Sequence, residues 1–268
     1  MIKAKELLAY LSLIHKGDWN LMYDDIRRKR RFDTKEAVSI VEKCGCKYVT
    51  LVDDDYPTIL KECIKPPLVL WYRGNLELLS RFDRNVTIVG SRKCSDYGEQ
   101  MTKKVASELA ERGIGIVSGL ARGIDTAALS EANRFGKAIA VLGNGIDVNY
   151  PEENAALQEE IGRTGLLISE YPEGVGPEAS HFPCRNRILA CLSKLTLVAE
   201  AHEKSGTLIT AAYALNLNRE LACFPFRADE GSAGNMLIKD GALLVENASE
   251  VLEAIDYKLE KAKKDKRR

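Results

Sequence analysis

Several short stretches of this 268-residue chain place glycine beside serine, threonine, asparagine or arginine directly after an apolar run. They are Gly90-Ser91-Arg92; Ser118-Gly119 with Arg122-Gly123 and Asp125; Gly143-Asn144-Gly145 with Asp147 and Tyr150-Pro151; Ser169-Glu170-Tyr171-Pro172; and Ser205-Gly206-Thr207. Glycine lets a backbone approach a ligand closely or adopt positive φ. Serine and threonine cap the next helix while its free N–H groups face an anion. Arginine offers a fork that matches two phosphate oxygens at once. A tight strand-to-helix turn needs glycine too, so one such stretch says little. Several converging on one edge of a sheet point to a phosphate-bearing ligand.

A further element, Ser180-His181-Phe182-Pro183-Cys184-Arg185-Asn186-Arg187-Ile188, sets an aromatic beside two arginines at a helix start. That suits a base stacked above a clamped phosphate. The plainer alternative is a core phenylalanine with arginines paired to carboxylates. The dinucleotide fingerprint is missing after the first of these stretches, and there is no Gly-x-x-x-x-Gly-Lys-Ser/Thr loop. His202 lies between Glu200 and Glu203, but no serine or cysteine has a credible base beside it. Asp125 is read as a helix cap or as the partner of Arg122. The chain is therefore read as no enzyme, with no cofactor.

The elements that must position these residues follow from the apolar runs at 68–72, 86–89, 114–117, 138–142, 166–169, 195–199, 221–224 and 243–245. Helical stretches such as 97–112 and 207–218 separate most of them. Strands apolar on both faces, alternating with helices, predict a mostly parallel α/β sheet covered on both sides. Ligands of such sheets sit beyond the carboxyl ends of the strands, where all the stretches above fall.

Residues 1–50 read as a small helical domain, with Leu7, Leu8, Leu11 and Ile14 at helical spacing and Asp33-Thr34 as a cap region. Residues 51–84 form a connector with a leading strand, 85–257 the sheet domain, and 258–268 a basic tail after a helix capped at Ser249. The run Arg27 to Arg31 is a solvated helix face in its simpler reading and a nucleic-acid or partner contact in its sharper one.

Lys+Arg and Asp+Glu are both 39, so no global field announces a polyanion; local positive charge would suffice. Seven scattered cysteines and no leader segment fit reduced thiols in a cytoplasmic protein. Cys44-Gly45-Cys46 lacks common zinc-site spacing, and only three histidines exist to complete a site. No apolar run reaches the roughly 20 residues that span a bilayer.

Over about residues 50–250, in order, these stretches resemble the DNA-processing protein A (DprA/Smf) family, together with Tyr56-Pro57, Leu60, Pro66-Pro67, Gly74 and Ser205-Gly206-Thr207-Leu208-Ile209-Thr210. The resemblance implies an extended Rossmann-like fold behind a sterile-alpha-motif-like helical domain. It implies single-stranded DNA binding in natural transformation, loading of a RecA-type recombinase around single-strand-binding protein, and a homodimer that hydrolyses no nucleotide. Carried over by motif, the DNA site is Gly90, Ser91, Arg92, Gly119, Arg122, Gly123, Phe182, Arg185, Asn186, Ser205, Gly206 and Thr207. Truncating Arg92 or Arg185 is expected to weaken binding and leave the fold intact.

The chain departs from the family pattern in three places. Glu152 and Glu153 follow Tyr150-Pro151 where a basic residue is frequent. Leu221-Ala222-Cys223-Phe224-Pro225-Phe226 loses a glycine. The winged-helix domain of many members is not expected after Val245. The competing function is a nucleotide-cleaving phosphoribohydrolase, or a nucleotide sensor, of the related lysine-decarboxylase-like group. Those enzymes place a glutamate where this chain has Thr210.

Overall fold

The computed structural model describes residues 2–202, 205–230 and 232–265, with side chains to 256 apart from that of 230. Glu203 and Lys204, and the side chains of the basic tail, lie outside the described residues. Nine strands form one sheet: β1 (Lys47–Thr50), β2 (Val69–Gly74), β3 (Asn85–Gly90), β4 (Gly115–Ser118), β5 (Ala138–Leu142), β6 (Leu166–Ser169), β7 (Leu195–Glu200), β8 (Glu220–Cys223) and β9 (Leu243–Leu244). Their spatial order is β1-β2-β6-β5-β4-β3-β7-β8-β9. The seven strands β3 to β9 are parallel, whereas β2 and β1 add antiparallel to the β6 edge. This is the α/β sheet that the apolar runs predict.

Helices cover both faces because successive strand residues point opposite ways and both sets are apolar. Val86 and Ile88 face one core with α4 (Asp96–Glu111), α5 (Ile124–Asn133), α6 (Ala155–Thr164) and α10 (Ala248–Asp265). Val89, Val117 and Val141 face another core with α7 (His181–Cys191), α8 (Gly206–Asn216) and α9 (Ala233–Lys239). The hydroxyl of buried Thr87 donates to Leu189 O (2.7 Å), tying α7 to β3. The cap of α10 is Asn247, whose side chain accepts from Glu250 N (3.1 Å), and not Ser249.

The N-terminal helices α1 (Ala4–Ile14), α2 (Trp19–Arg27) and α3 (Thr34–Glu42) precede β1. Asp33 caps α3, accepting from Lys35 N and Glu36 N. Leu8, Leu11 and Met22 pack in the same core as Val69 and Trp71 of the sheet. Trp71 Nε1 donates to Ser12 Oγ (3.0 Å), and Trp19 Nε1 donates to Pro66 O (2.8 Å). Strand β1 is a feature the periodicity does not reveal, because only its end, Val49 and Thr50, is buried.

The chain runs outward from β3 through β4 and β5 to β6, then crosses back to β7 on the other side of β3. The switch point therefore lies at the carboxyl ends of β3 and β7, where a crevice opens. Among the described residues, no helix is long and apolar enough to cross a membrane.

Candidate functional site

At the end of β3, close packing dictates glycine. A Cβ on Gly90 would lie 2.5 Å from Ile124 Cγ1 and 2.9 Å from Glu200 O, so only glycine lets β3 sit against α5 and β7. Ser91 N then donates to Glu200 O (2.8 Å), and the Ser91 hydroxyl turns back to Lys93 O (2.8 Å). Ser91 is buried and shapes the turn. Gly123 has φ of +72° and would drive a Cβ into Ser91 O, so it too shapes the wall. What the turn projects into solvent is Arg92, with Lys93 beside it. The Arg92 guanidinium lies 5.6 Å from the centroid of the Phe182 ring.

Arg185 behaves differently from Arg92. It is 4% exposed, and its Nη1 donates to Gly119 O (2.7 Å) and to Val141 O. Gly119 has no side chain because the guanidinium fills that space. Burial pulls the guanidinium down to about 10, against the attraction of Asp125 and with the repulsion of Arg92. Burial raises the Asp125 carboxyl, with Arg185 opposing. Asp125 accepts from Gly119 N (3.1 Å) and Ala121 N (3.3 Å), so it faces Arg185 and does not hold Arg122. Arg122 is exposed and pairs instead with exposed Glu153.

Arg185 is thus part of the sheet-edge framework, although its Nη2 has no hydrogen bond among the described residues and the side chain lines the crevice. Its burial argues against the expectation that truncating it leaves the fold intact, because it donates to two carbonyls and offsets the charge of buried Asp125. Arg187, its neighbour, is held by Glu170 through two bonds of 2.6 Å and is structural.

The first turn of α7 brings Phe182 to the crevice. Phe182 is half-buried, tilts against Tyr150 at 5.4 Å between centroids, and closes over Gly143, where a Cβ would be 3.0 Å away. Asn186 Nδ2 donates to Gly206 O (3.3 Å), joining α7 to the start of α8. There Ser205 Oγ is buried without a partner among the described residues, Gly206 is exposed and Thr207 is buried. Of the first-turn N–H groups of α8, Leu208 N turns back to Ser205 O (3.1 Å), and the helix dipole makes that end electropositive.

The crevice comprises two adjoining cavities of about 770 and 830 Å³. The first gathers Gly90, Ser91, Asn186 and Ser205-Gly206-Thr207; the second gathers Gly119 and Arg122. Arg92, Phe182 and Arg185 line both, at the crossing. Gly123 alone among the expected residues lies behind the wall. Sequence reasoning left out Lys93 and Tyr150, which also line both cavities. Adjacency to Arg92 and position after β5 were the available signals.

Glu200 and His181 have structural duties. Glu200 is buried and accepts from Ser95 N (3.0 Å) and Ser95 Oγ (2.8 Å), capping α4. His202 is 3.6 Å from Glu200. His181 bonds Gly143 O (3.0 Å) and stacks on Tyr171. The Gly143–Asp147 loop closes on itself: Asn144 Nδ2 donates to Gly145 O and Val148 O, and Asp147 accepts from Gly174 N (2.9 Å). Among the described residues, no cluster of histidine, cysteine and carboxylate could hold a metal ion.

Comparison with known proteins shows the family and the fold. The family model described as DNA recombination-mediator protein A matches residues 47–256. Protein Smf of Synechocystis is 43% identical over 214 residues, 78% of this chain but 54% of its own length, so the chain spans about half of that relative. The crystal structure of DNA processing protein A from Streptococcus pneumoniae superposes with a TM-score of 0.77 at 36% identity, covering 94% of this chain and 93% of that one. DNA processing protein A from Helicobacter pylori superposes with a TM-score of 0.71 at 32% identity, covering 81% and 98%. The chain belongs to the DNA recombination-mediator protein A family, the DprA/Smf proteins.

Proposed function

We propose that the chain binds single-stranded DNA along the sheet-edge crevice, phosphates meeting Arg92 and Lys93 and a base stacking at Phe182 and Tyr150. The observation that carries this reading is Arg92. It is exposed, forms no ion pair among the described residues, and lies over an aromatic ring where the two cavities meet. A free guanidinium beside a ring pairs the two features a single strand offers, a phosphate and a base plane. Gly90, Gly119 and Gly123 let the elements of the crevice wall pack closely, and buried Ser91 shapes the turn that presents Arg92. Arg185 and Asn186 build the wall, Ser205, Gly206 and Thr207 present helix N–H groups, and Arg122 stands at the rim. The solved Helicobacter pylori relative is described by its single-stranded DNA binding mode, which supports the same ligand here.

Kinship with the family supports a role in DNA processing during natural transformation, in which the bound strand is shielded and a RecA-type recombinase is loaded around single-strand-binding protein. The same kinship supports a homodimer. We read the site as non-catalytic: the Asp125 carboxyl is committed to backbone N–H groups, and Thr210 stands buried on the cavity wall where a nucleotide-cleaving enzyme would place its glutamate. Incubation with labelled single-stranded oligonucleotide, and separately with nucleoside monophosphates, tests both points. A mobility shift without released base is the expected outcome; released base would establish the hydrolase.

A further inference from the structure

The outer face of α2 carries a feature that the crevice does not use. Trp19 and Tyr23 are one helical turn apart, and their rings stack at 4.8 Å between centroids and 14° between planes. Trp19 is anchored by its bond to Pro66 O (2.8 Å). The Lys65 ammonium lies 5.4 Å from the Trp19 centroid and donates to Asn20 Oδ1 (2.7 Å). Tyr23 remains 48% exposed. The column Lys65–Trp19–Tyr23 is therefore held rigid at one end and open at the other.

This column stands beside the start of α7. Gly17 packs so closely on the β6 loop that a Cβ would lie 2.7 Å from Glu170 O and 3.1 Å from Tyr171 Cα. Tyr171 stacks on His181 at 3.9 Å, and His181 precedes Phe182. From the other side, Arg187 Nη2 donates to Lys65 O (2.9 Å). Pro183 and Cys184, between Phe182 and Arg187 along α7, are exposed. Beyond Tyr23 comes the run Arg27 to Arg31. Arg27 and Arg28 pair with Asp24, and Arg30 with Asp25, all at exposed guanidinium groups. The two pairs with Asp24 lie on the surface, contribute little and yield to a phosphate. Lys29 and Arg31 form no ion pair among the described residues.

We propose that the Trp19–Tyr23 stack with Lys65 is a second base-stacking platform, which takes single-stranded DNA leaving the crevice over the first turn of α7. A base lies on the open face of Tyr23, and the phosphates on either side meet Lys65 and the basic run. The inference rests on single-stranded DNA occupying the crevice, and it makes the binding path longer than the crevice alone.

Strands of two lengths test it on the full chain. Oligothymidine of about 6 nucleotides fills the crevice only, and one of about 20 reaches the platform. Tyr23→Ala is expected to weaken the long probe by about fivefold or more and leave the short one unchanged, with Tyr23→Phe restoring affinity. Lys65→Gln should lower the salt slope by roughly 0.7 for the long probe alone. The chain has two tryptophans, and Trp71 is 0% exposed, so emission quenched by the long probe alone reports on Trp19. Wild-type affinity of Tyr23→Ala for the long probe, while Arg92→Ala still weakens it, overturns the platform and leaves the crevice standing. Equal weakening of both probes by Tyr23→Ala overturns it as well. Failure of the wild type to bind either probe removes both readings.

Discussion

The guanidinium of Arg92 sits 5.6 Å from the ring centroid of Phe182, and this pair stands where the two cavities of the sheet edge meet. Arg92 is exposed and pairs with no carboxylate among the described residues, so its removal leaves none of their buried groups unpaired. Arg92→Ala should keep the wild-type melting temperature and weaken single-stranded DNA binding. It should also lower the slope of log affinity against log salt by roughly 0.7 per lost phosphate contact. Titrations at several salt concentrations check it; an unchanged slope with full affinity would remove Arg92 from the interface.

Phe182 separates binding of DNA from binding of any anion. Stacking one base contributes about 1–3 kcal/mol with little sequence preference. Phe182→Ala should therefore weaken the strand by roughly five- to 150-fold at constant salt, with a nearly unchanged salt slope. Phe182→Tyr and Phe182→Trp should retain most of the affinity. A fall in thermal stability with normal affinity would show that the ring serves only to pack against Gly143 and Tyr150.

Arg185 should answer in the opposite way. Its loss leaves Gly119 O and Val141 O without their donor and Asp125 without its cation. Breaking a buried arrangement of this kind costs about 3–5 kcal/mol, a drop in melting temperature on the order of 10 °C. Gly119→Ala should displace the same guanidinium and destabilise in parallel. Calorimetry of the two variants beside Arg92→Ala checks the contrast; a stable Arg185→Ala with weakened binding would return Arg185 to the role first expected of it.

The N-terminal helices carry a pH dependence of known sign. His15 Nε2 lies 2.7 Å from Asp25 Oδ2, and Arg30 reaches Oδ1 at 3.3 Å. The His15 hydrogen bond, against burial and helped by Arg30, holds the carboxyl below its ordinary 3.8. A depressed folded value stabilises above 3.8, and that contribution disappears as pH falls through the folded value. Asp25→Asn should lower stability near neutral pH and flatten the loss on acidification. Urea midpoints compared at about pH 7 and about pH 3 check it; parallel curves for variant and wild type would contradict it.

Much of the architecture was legible because the central strands are apolar on both faces. The runs at 138–142 and 166–169 became β5 and β6 unchanged. Strand β1 was hidden because it is an edge: Lys47 is exposed and the inward residues are only Val49 and Thr50, too few for a period. At the site, the glycine loops located the crevice, since each must turn at a strand end. The different fates of the arginines were not legible. Arg185 owes its burial to the missing side chain of Gly119, 66 residues away, and Arg122 is drawn off by Glu153 of another loop. Tyr150 belonged to a recognised stretch, but its contact with Phe182 depends on how the loop after β5 folds back, which spacing does not reveal.

Photo-cross-linking maps the interface without relying on any substitution. Single-stranded DNA carrying photoreactive thymidines would be irradiated on the wild-type chain and the attached peptides identified by mass spectrometry. The crevice predicts adducts on the segment that holds Phe182 and on the segment that holds Arg92 and Lys93, competed away by unlabelled single strand. A bound strand whose adducts fall entirely outside the carboxyl edge of the sheet would contradict it.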